Sequence, residues 1–378
     1  MPKQTDYQQH LQEKTKRTLD QFAAYLDDTK SKGTHLDVFA SPPMGYRMRA
    51  EFRIWHEGDD LFYGMHDPNP PHAIVKMATL DIAHNNITSL MPNLLNTIKQ
   101  IEPLKHRLFQ CEFLTSTLGE QLVTLIYHRP LDESWDAYAH ALAQQFQIYI
   151  VGRSKGIKRV IGANHIYEQF MVQDTRFRYQ QIEASFTQPN AHICSKMLNW
   201  ADDLIEKSDR DFLELYCGNG NFTLPLARKF RKVLATEISK TSIQSALHNC
   251  DINKVRNIEF VRMSSEEFGQ ALQRVRPFTR LRHIDLDDYD FSTVLVDPPR
   301  AGLDSVTCQL IAQFEHILYI SCNPDTLERD LHVLSKTHQV VKAALFDQFP
   351  GTEHREMGLY LSVISLSNTC RAASKIKA

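Results

Sequence analysis

The C-terminal half of this chain alternates between short apolar segments and segments long enough to form a helix. Apolar runs of strand length occupy residues 212–216, 233–237, 258–263, 293–296, 316–320, 340–346 and 359–366. Strands that alternate with helices are typical of a sheet whose parallel strands are joined by helical crossovers. The pattern therefore predicts an α/β domain with a seven-stranded, doubly wound sheet of the Rossmann-like kind.

The last two runs and one insertion depart from this alternation. Only about a dozen residues separate the runs 340–346 and 359–366, which is too few for a crossover helix, so we expect an antiparallel pair at the end of the sheet. Residues 274–290 carry mixed charge and are expected to form a solvated insertion.

The N-terminal half mixes helices and strands. The pattern of residues from about 5 to 30 is that of an amphipathic helix. Further helices are expected at 91–99 and 135–145, one hairpin at 111–117 with 121–128, and a second at 147–151 with 160–161, whose turn is basic. We therefore expect an α+β domain at residues 1–182 and the α/β domain at residues 183–378.

Composition limits the kind of protein. The 378 residues are 42% hydrophobic and 23% charged, which is ordinary for a folded chain of two domains. No apolar run approaches the roughly 20 residues of a membrane span, and the first residues are polar, so a cytoplasmic protein is expected. The seven cysteines form no CxxC pair and no metal-ligand spacing, which argues against a disulfide framework, a metal site or an iron–sulfur cluster.

Local clusters of cations have to be considered because the net charge of −2 gives no global sign of a polyanionic partner. Residues 47–55 alternate like a strand, which places Arg47, Arg49, Arg53 and Trp55 on one face. A basic face with an aromatic ring suits RNA, but a half-exposed strand of any domain can look the same.

The first strand of the α/β domain leads into a loop with two glycines, Gly218 and Gly220, which permit a tight turn and close approach to a ligand. Thr223 stands where a dinucleotide-binding loop carries its third glycine, so a nicotinamide cofactor is disfavoured. Glu237 ends the second strand, where an acid accepts hydrogen bonds from ribose hydroxyls. This combination, without a pyrophosphate site, favours S-adenosylmethionine as the cofactor.

Two further strand ends carry reactive groups. Asp297 is followed by two prolines, which form a rigid loop that can hold its carboxylate toward a flat ring. Cys322 follows the fifth strand, just before an expected helix in which Asp325 and Glu328 form a capping box. A helix N-terminus lowers the pKa of a thiol, so Cys322 is a candidate nucleophile, although inert buried cysteines also occur at strand ends.

Ligands of an open parallel sheet bind beyond the carboxyl ends of its strands, so these residues are expected to meet at one edge, together with the acidic loop 347–356. The chain resembles the RNA uracil-C5 methyltransferase family in the segments 185–190, 215–222, 297–300, 321–324 and 347–356. Residues 46–53 resemble the RNA-binding domain of these enzymes more loosely.

The resemblance implies a mechanism and a set of site residues. Cys322 matches the nucleophile that adds to C6 of uracil, which makes C5 nucleophilic toward the methyl group of S-adenosylmethionine. Glu356 matches the base that then removes the C5 proton, so that the thiol is expelled. The residues implied around the cofactor and the base are Gln188, Tyr216, Gly218, Asn221, Glu237 and Asp297. Gln188 and Asp297 are also expected to read the uracil edge.

The same resemblance implies a tRNA substrate, methylated at uridine 54 of the T-loop, with the tRNA-like part of tmRNA as a further candidate. The base has to be extruded from its stack to reach the pocket. The candidate RNA-binding residues are Arg47, Arg49, Phe52 and Arg53. We expect a monomer that binds no membrane.

Other readings stay open beside this one. Related enzymes that modify ribosomal RNA typically carry clustered cysteines and an added barrel. Neither feature is evident in this sequence, so tRNA is favoured as the substrate. RNA cytosine-C5 methyltransferases typically carry a cysteine in the loop that here carries Asp297. Amino-group methyltransferases need neither Cys322 nor Glu356. A role as an RNA folding factor is compatible with catalysis.

Overall fold

The structure is a computed structural model that describes residues 4–26, 35–66 and 74–364. Its helices are α1 Gln4–Leu26, α2 Asn85–Lys99, α3 Glu102–Lys105, α4 Glu133–Phe146, α5 Ala191–Leu204, α6 Thr223–Ala227, α7 Lys240–Asn253, α8 Ser265–Leu272, α9 Ser305–Ile311 and α10 Pro324–Leu334. Its strands are β1 Leu36–Phe39, β2 Arg49–Glu57, β3 Asp60–His66, β4 Ile74–Met77, β5 Leu108–Thr115, β6 Gln121–Tyr127, β7 Tyr149–Ser154, β8 Ile157–Ile161, β9 His165–Val172, β10 Thr175–Ile182, β11 Asp211–Leu215, β12 Val233–Glu237, β13 Ile258–Arg262, β14 Phe291–Val296, β15 His316–Ser321, β16 His338–Phe346 and β17 Glu356–Val363.

The chain forms two compact units. The first comprises the described residues of 1–40, 196–246 and 254–378, and the second comprises those of 41–195 together with 247–253. The predicted boundary between residues 182 and 183 differs from this division most at the N-terminus. The reason is that β1 pairs in parallel with β16, from Leu36 opposite Ala343 to Phe39 opposite Phe346, so that this early segment belongs to the unit with the α/β sheet.

The first unit contains an eight-stranded sheet in the order β1-β16-β17-β15-β14-β11-β12-β13. All seven predicted strands are confirmed within the described residues, and the end of the predicted run 359–366 lies outside them. The central strands are buried almost throughout, because helices cover both faces of such a sheet and long apolar runs are stable there. Leu213, Val294 and Ile317 are fully buried in this core.

The edge of this sheet differs from the prediction. β16 and β17 are antiparallel, as expected, but β17 inserts between β15 and β16, and the unpredicted β1 adds an edge strand beyond β16. The predicted helix at about 5 to 30 is α1, and residues 27–30 lie outside the described residues. The insertion 274–290 is only partly solvated, since Leu281 is buried and Leu286 and Tyr289 pack against the core.

The second unit contains a seven-stranded sheet in the order β4-β3-β2-β5-β6-β7-β8 and a separate hairpin of β9 and β10. Its strands pair antiparallel except β6 and β7, which run parallel because α4 connects them as a crossover. Both predicted hairpins and both predicted helices are present, which confirms the α+β character. Phe52, Tyr63 and Phe113 pack together in its core with ring centroids 5.2 to 6.1 Å apart. None of the described helices has the length and apolar character to cross a membrane.

Candidate active site

The loop after β11 adopts a backbone that demands small residues. Gly218 and Gly220 have φ values of 56° and 84°, and Tyr216 has the positive value of 63°, which is uncommon for a residue with a side chain. A Cβ at Gly220 would lie 2.5 Å from Leu224 Cδ1, whereas a Cβ at Gly218 would meet no described heavy atom within 4 Å. Gly220 is therefore needed for packing, and Gly218 leaves open space for a ligand.

Glu237 is oriented by the backbone of the neighbouring loops. Its Oε2 accepts a hydrogen bond from the Gly218 amide at 3.1 Å, and its Oε1 accepts one from the Ser239 amide at 2.7 Å. A carboxylate has about four lone-pair sites, so both oxygens retain the capacity to accept further donors. The next residue, Ile238, is 71% exposed and offers an apolar surface beside this acid. The sequence analysis missed Ile238, because a single apolar residue after a strand carries no signal of its own.

Two further side chains, Tyr216 and Glu214, lie at the start of this loop and in the strand before it. The hydroxyl of Tyr216 lies 2.5 Å from Ser265 Oγ, at the first residue of α8, and burial raises the pKa of Tyr216. Glu214, inside β11, is 1% exposed, and burial raises its pKa to about 8. A carboxyl in such surroundings is held in its neutral form at neutral pH. Asn221 is half-buried in the same loop.

Cys322 and Glu356 are brought together by the pairing of β15 with β17. Ile320 lies opposite Gly358 and Ser321 opposite Met357, so continuing this antiparallel register by one residue sets Cys322 opposite Glu356. Residues directly opposite each other have Cβ atoms roughly 5 Å apart and project to the same face. Cys322 is half-buried and Glu356 is 6% exposed. The two side chains lie close enough for the charge of Glu356 to raise the pKa of Cys322.

The surroundings of Cys322 correct the expected pKa of its thiol. Burial, followed by the charges of Glu356 and Asp297, raises the pKa of Cys322 to about 11, while the nearby Arg300 acts in the opposite direction. The helix cap also differs from the prediction. α10 begins at Pro324, and Asn323 caps it by accepting a hydrogen bond from the Asp325 amide at 3.1 Å, so Asp325 and Glu328 do not form a capping box. The short-range benefit of the helix end is outweighed by desolvation and two carboxyls.

Asp297 and Glu356 are also shifted toward their neutral forms. Burial raises the pKa of Asp297 to about 7. Burial and the charge of Asp297 raise the pKa of Glu356, and Arg300 opposes that shift. Within residues 4–26, 35–66 and 74–364, neither carboxyl takes part in an ion pair. No role was predicted for Arg300 from the sequence, although its charge acts to lower the pKa of both Cys322 and Glu356.

The remaining predicted site residues belong to the second unit. Gln188 is half-buried in the segment before α5. Arg49 donates to the Glu183 carbonyl at 2.9 Å, and the Arg47 Nε donates to the Arg49 carbonyl at 2.8 Å. Arg53 is exposed, with its guanidinium 4.0 Å from the centroid of the Phe109 ring.

Phe52 requires a correction. Its side chain is 1% exposed and lies on the inward face of β2, between Ala50 and Ile54, which are also buried. The alternation of the strand was interpreted correctly, but the ring faces the core and offers no surface to RNA. Phe52 therefore serves the stability of the second unit.

The first unit thus gathers a glycine loop, a strand-end acid, a proline-bounded aspartate and a thiol paired with a carboxyl on the strands of one sheet. In the part of the chain that the structure describes, no group of three or more His, Cys, Asp or Glu could hold a metal ion. A Rossmann-like sheet with an open glycine loop and a ribose-type acid is the arrangement of a nucleotide-binding transferase. The fold and these residues define the class of Rossmann-like methyltransferases.

Comparison with known proteins narrows this class. A sequence profile of the tRNA (uracil-5-)-methyltransferase family matches residues 6–364. The chain is 50% identical over 363 residues to the tRNA/tmRNA (uracil-C(5))-methyltransferase of Acinetobacter baylyi, covering 95% of this chain and 99% of that protein. It is 51% identical over 358 residues to the protein of the same description from Saccharophagus degradans, covering 94% and 96% of the two chains. The chain therefore belongs to the tRNA (uracil-5-)-methyltransferase family, and it is a methyltransferase.

A solved structure supports the fold. The crystal structure of Pyrococcus abyssi tRNA (uracil-54, C5)-methyltransferase, in complex with S-adenosyl-L-homocysteine, aligns with a TM-score of 0.70 at 22% sequence identity. The alignment covers 94% of this chain and 83% of that chain. At this level of identity the likeness shows a shared fold.

Proposed function

We propose that this protein methylates C5 of uridine 54 in the T-loop of tRNA, with S-adenosylmethionine as the methyl donor and Cys322 and Glu356 as the catalytic residues. The observation that carries the proposal is that Cys322 and Glu356 each lie one residue beyond the strand pair Ser321 and Met357, where the charge of Glu356 acts on the thiol. Two relatives at about half identity are described as tRNA/tmRNA (uracil-C(5))-methyltransferases, which supports tRNA as substrate and tmRNA as a second one.

The residues around the glycine loop fit a nucleoside-bearing methyl donor. Gly218 leaves open space, Glu237 presents a carboxylate fixed by two backbone amides, and Ile238 offers an exposed apolar surface for a flat base. Tyr216, Asn221 and Asp297 are proposed to complete this set. When bound, S-adenosylmethionine supplies an electrophilic methyl group. Gln188 as a reader of the uracil edge stays a prediction.

The chemistry of the pair follows from the poor nucleophilicity of uracil C5. The Cys322 sulfur forms a bond to C6, and the electron pair of the C5–C6 double bond moves toward C5, which then accepts the methyl group. Glu356 accepts the C5 proton, the electrons of that bond restore the double bond, and the C6–sulfur bond breaks to release the thiolate. The raised pKa of Glu356 suits a carboxylate that has to take a proton from carbon.

The high pKa of Cys322 means that the thiol has to lose its proton within the site before it adds. The charge of Arg300 acts to lower the pKa of Cys322, against the effect of Glu356 and Asp297, and so favours the thiolate. Arg300 is therefore the candidate electrostatic partner for the attacking sulfur. A uracil ring that enters the site displaces water from this edge and strengthens the attraction between Arg300 and the thiolate. We therefore assign Arg300 a supporting role in the addition step.

RNA binding is proposed for the outward face of β2 in the second unit. Arg49 and Arg53 lie on that face, and Arg47 lies two residues before the strand. Cations on a strand surface bind phosphates without regard to sequence. The target base has to leave its stack, because C6 is hidden in a folded T-loop.

The experiment that tests the function is incubation of the protein with S-adenosylmethionine and unmodified tRNA transcripts, followed by identification of the modified nucleoside. We expect 5-methyluridine in a wild-type transcript and none in a matched transcript with cytidine at position 54. Methylcytidine, or 5-methyluridine that persists in the cytidine transcript, would overturn the proposed substrate.

The roles of the two catalytic residues are separated by two variants. Glu356→Gln should add to the base and accept the methyl group but resolve slowly, so a covalent protein–RNA adduct should accumulate on a denaturing gel. Cys322→Ala should form no adduct under the same conditions. An adduct with Cys322→Ala would exclude this thiol as the nucleophile.

A further inference from the structure

Helix α1 contacts the loop that leads into Glu356, although the two are far apart in the sequence. Lys14 and Asp347, which form the central contact, are separated by 333 residues, and both belong to the first unit. The loop 347–355 connects β16 to β17 and ends at the residue before Glu356. The N-terminal segment, predicted to be part of a separate domain, therefore contacts the loop next to the candidate catalytic residue Glu356.

The contact at Lys14 is buried. Its Nζ donates to Asp347 Oδ1 at 2.7 Å and to the Phe349 carbonyl at 2.9 Å, and the two charged side chains are only 2% and 1% exposed. Burial lowers the pKa of Lys14, while the hydrogen bond to Asp347 acts to raise it. A buried ion pair is a poor way to gain stability, because desolvation offsets the attraction. What the pair does provide is a fixed geometry for both ends of the loop's first turn.

Other residues on the same face of α1 hold the rest of the loop. His10 Nε2 lies 2.9 Å from the Thr352 carbonyl oxygen, and Arg17 forms an ion pair with Glu353. Positions 10, 14, 17 and 21 follow the spacing that places side chains on one face of a helix. The helix therefore contacts the loop along its length.

Gln21 links this loop to the helix that follows Cys322. Its Oε1 accepts a hydrogen bond from Arg355, the residue before Glu356, at 2.8 Å. Its Nε2 donates to Asp325 Oδ1 at 3.1 Å and to Glu328 Oε2 at 2.9 Å, both in the first turns of α10. One side chain thus joins the segment before the proposed base to the segment after the proposed nucleophile.

We propose that α1 is a positioning element for catalysis, with Lys14 and Gln21 as the positioning residues that fix Glu356 relative to Cys322. The inference rests on the proposed function of that pair. Glu356 is the first residue of β17, opposite Phe346 of β16, and Cys322 follows the last residue of β15, so the strand pairing stops at this point and the loop before Glu356 lies outside it. A misplacement of about 1 Å in such a pair can cost roughly 100-fold in rate.

The test compares Lys14→Met with Lys16→Met on the full chain. Lys16 lies on the same helix but is 79% exposed and pairs with the exposed Asp20 of that helix, so it provides the matched control. We expect Lys14→Met to lower kcat by about 100-fold, with KM for tRNA changed by less than about 3-fold, and to accumulate the covalent adduct. Lys16→Met should behave like the wild type.

A structural effect is separated from a positioning effect by the double variant Lys14→Met with Asp347→Asn. Removing both charges avoids an unpaired buried carboxylate, so its urea midpoint should recover toward that of the wild type. Its kcat should stay low, because the hold on the loop is still missing. Gln21→Leu, which leaves the buried ion pair intact, should also lower kcat without a matching loss of stability, and it serves as the test if Lys14→Met does not fold.

Several outcomes decide the matter. Wild-type kcat in the folded double variant and in Gln21→Leu would overturn the inference. Wild-type protein that yields no 5-methyluridine would instead remove the proposed function, and this inference with it, before any α1 variant is considered. If the wild type is active but Glu356→Gln accumulates no adduct, the role of Glu356 fails while the effect of α1 on kcat remains measurable.

Discussion

Two sites of this protein, one in each unit, hold their buried carboxyls in opposite ways. In the second unit, burial acts to raise the pKa of Glu183, but hydrogen bonds from Arg153 and Lys158 outweigh it and lower the pKa. In the first unit, burial raises the pKa of Asp297 and of Glu356, and no ion pair to either is found in the described part of the chain. One carboxylate is neutralised by cations, and the other two are left to take up a proton.

The difference shows where the chain accepts a cost in stability. A buried carboxyl with two cation partners stays charged and contributes to the fold. A buried carboxyl without such a partner destabilises the folded state near neutral pH, and such groups gather where proton transfer is required. The contrast therefore separates a carboxylate that cations stabilise, Glu183, from two carboxyls of the candidate active site, Asp297 and Glu356. Four sets of variants test this contrast and the proposed site.

The largest effect is expected from Cys322→Ala, which should lower the rate of methyl transfer by about 10⁴-fold or more. The reason is that Cys322 is the proposed nucleophile toward C6, and its removal takes away the addition step. Cys308→Ala is the matched control, because this thiol is also buried in the first unit but lies against the Asp330 carbonyl. The measurement is transfer of a labelled methyl group to unmodified tRNA. Equal losses in both variants would show that the effect comes from packing.

Phe52→Ala should lower the free energy of unfolding by about 3–5 kcal/mol, because it leaves a cavity in the core of the second unit. The remaining folded protein should keep its affinity for RNA, since the ring lies inside. Glu51→Ala, at an exposed position of the same strand, is the control and should change stability by less than about 0.5 kcal/mol. Urea unfolding and a filter-binding assay check the two parts. A Phe52→Ala variant that is stable but binds RNA weakly would restore its predicted role.

Asp297→Asn and Glu183→Gln should show opposite dependences on pH. The folded pKa of Asp297 is raised from 3.8 to about 7, so its contribution is fully present below pH 3.8 and is lost as the pH rises to about 7. The stability of the wild type relative to Asp297→Asn should therefore fall over this window, by at most about 4 kcal/mol. For Glu183 the pKa is lowered, so the advantage of the wild type over Glu183→Gln should be present above pH 4.5 and be lost in acid.

Urea titrations at closely spaced pH values measure both curves. Parallel curves for the two variants would contradict the opposite electrostatic behaviour expected of Asp297 and Glu183.

The smallest effect is expected from Arg53→Gln. Losing one exposed cation should weaken RNA binding several-fold and reduce the slope of log affinity against log salt by about 1. The rate at saturating tRNA should not change, because Arg53 lies on β2 in the second unit. Glu51→Gln on the same face should not weaken binding. An unchanged salt slope for Arg53→Gln would remove β2 from the RNA surface.

Much of this fold could be predicted from the sequence, because the strands of the first unit are continuous apolar runs. The glycine loop, Glu237 and the segment around Cys322 follow such runs directly, so their place at the strand ends can be inferred from local pattern. Local pattern does not determine which strands become neighbours. The insertion of β17 between β15 and β16 and the pairing of β1 with β16 are long-range choices, and no short segment encodes them.

Electrostatics was the less predictable part of the site. The position of Cys322 before a helix suggested a lowered thiol pKa, but the site combines burial with Glu356 and Asp297, which are distant in the sequence. The predicted capping box is absent because Asn323 is the N-cap and Pro324 is the first residue of the helix. Asp325 therefore already lies inside the helix. Phe52 was misassigned because its neighbours are basic, although its own place in the alternation points inward.

The position of β17 has a consequence for the newly made chain. The partner of Cys322 lies on the last strand that the structure describes, and the loop before it is held by the first helix. A nascent polypeptide that has emerged only as far as α10 contains the thiol of Cys322 without the carboxyl of Glu356. The pair of Cys322 and Glu356 is therefore complete only after residue 356 has been synthesised, and on the proposed mechanism we expect shorter translation products to complete no cycle on RNA.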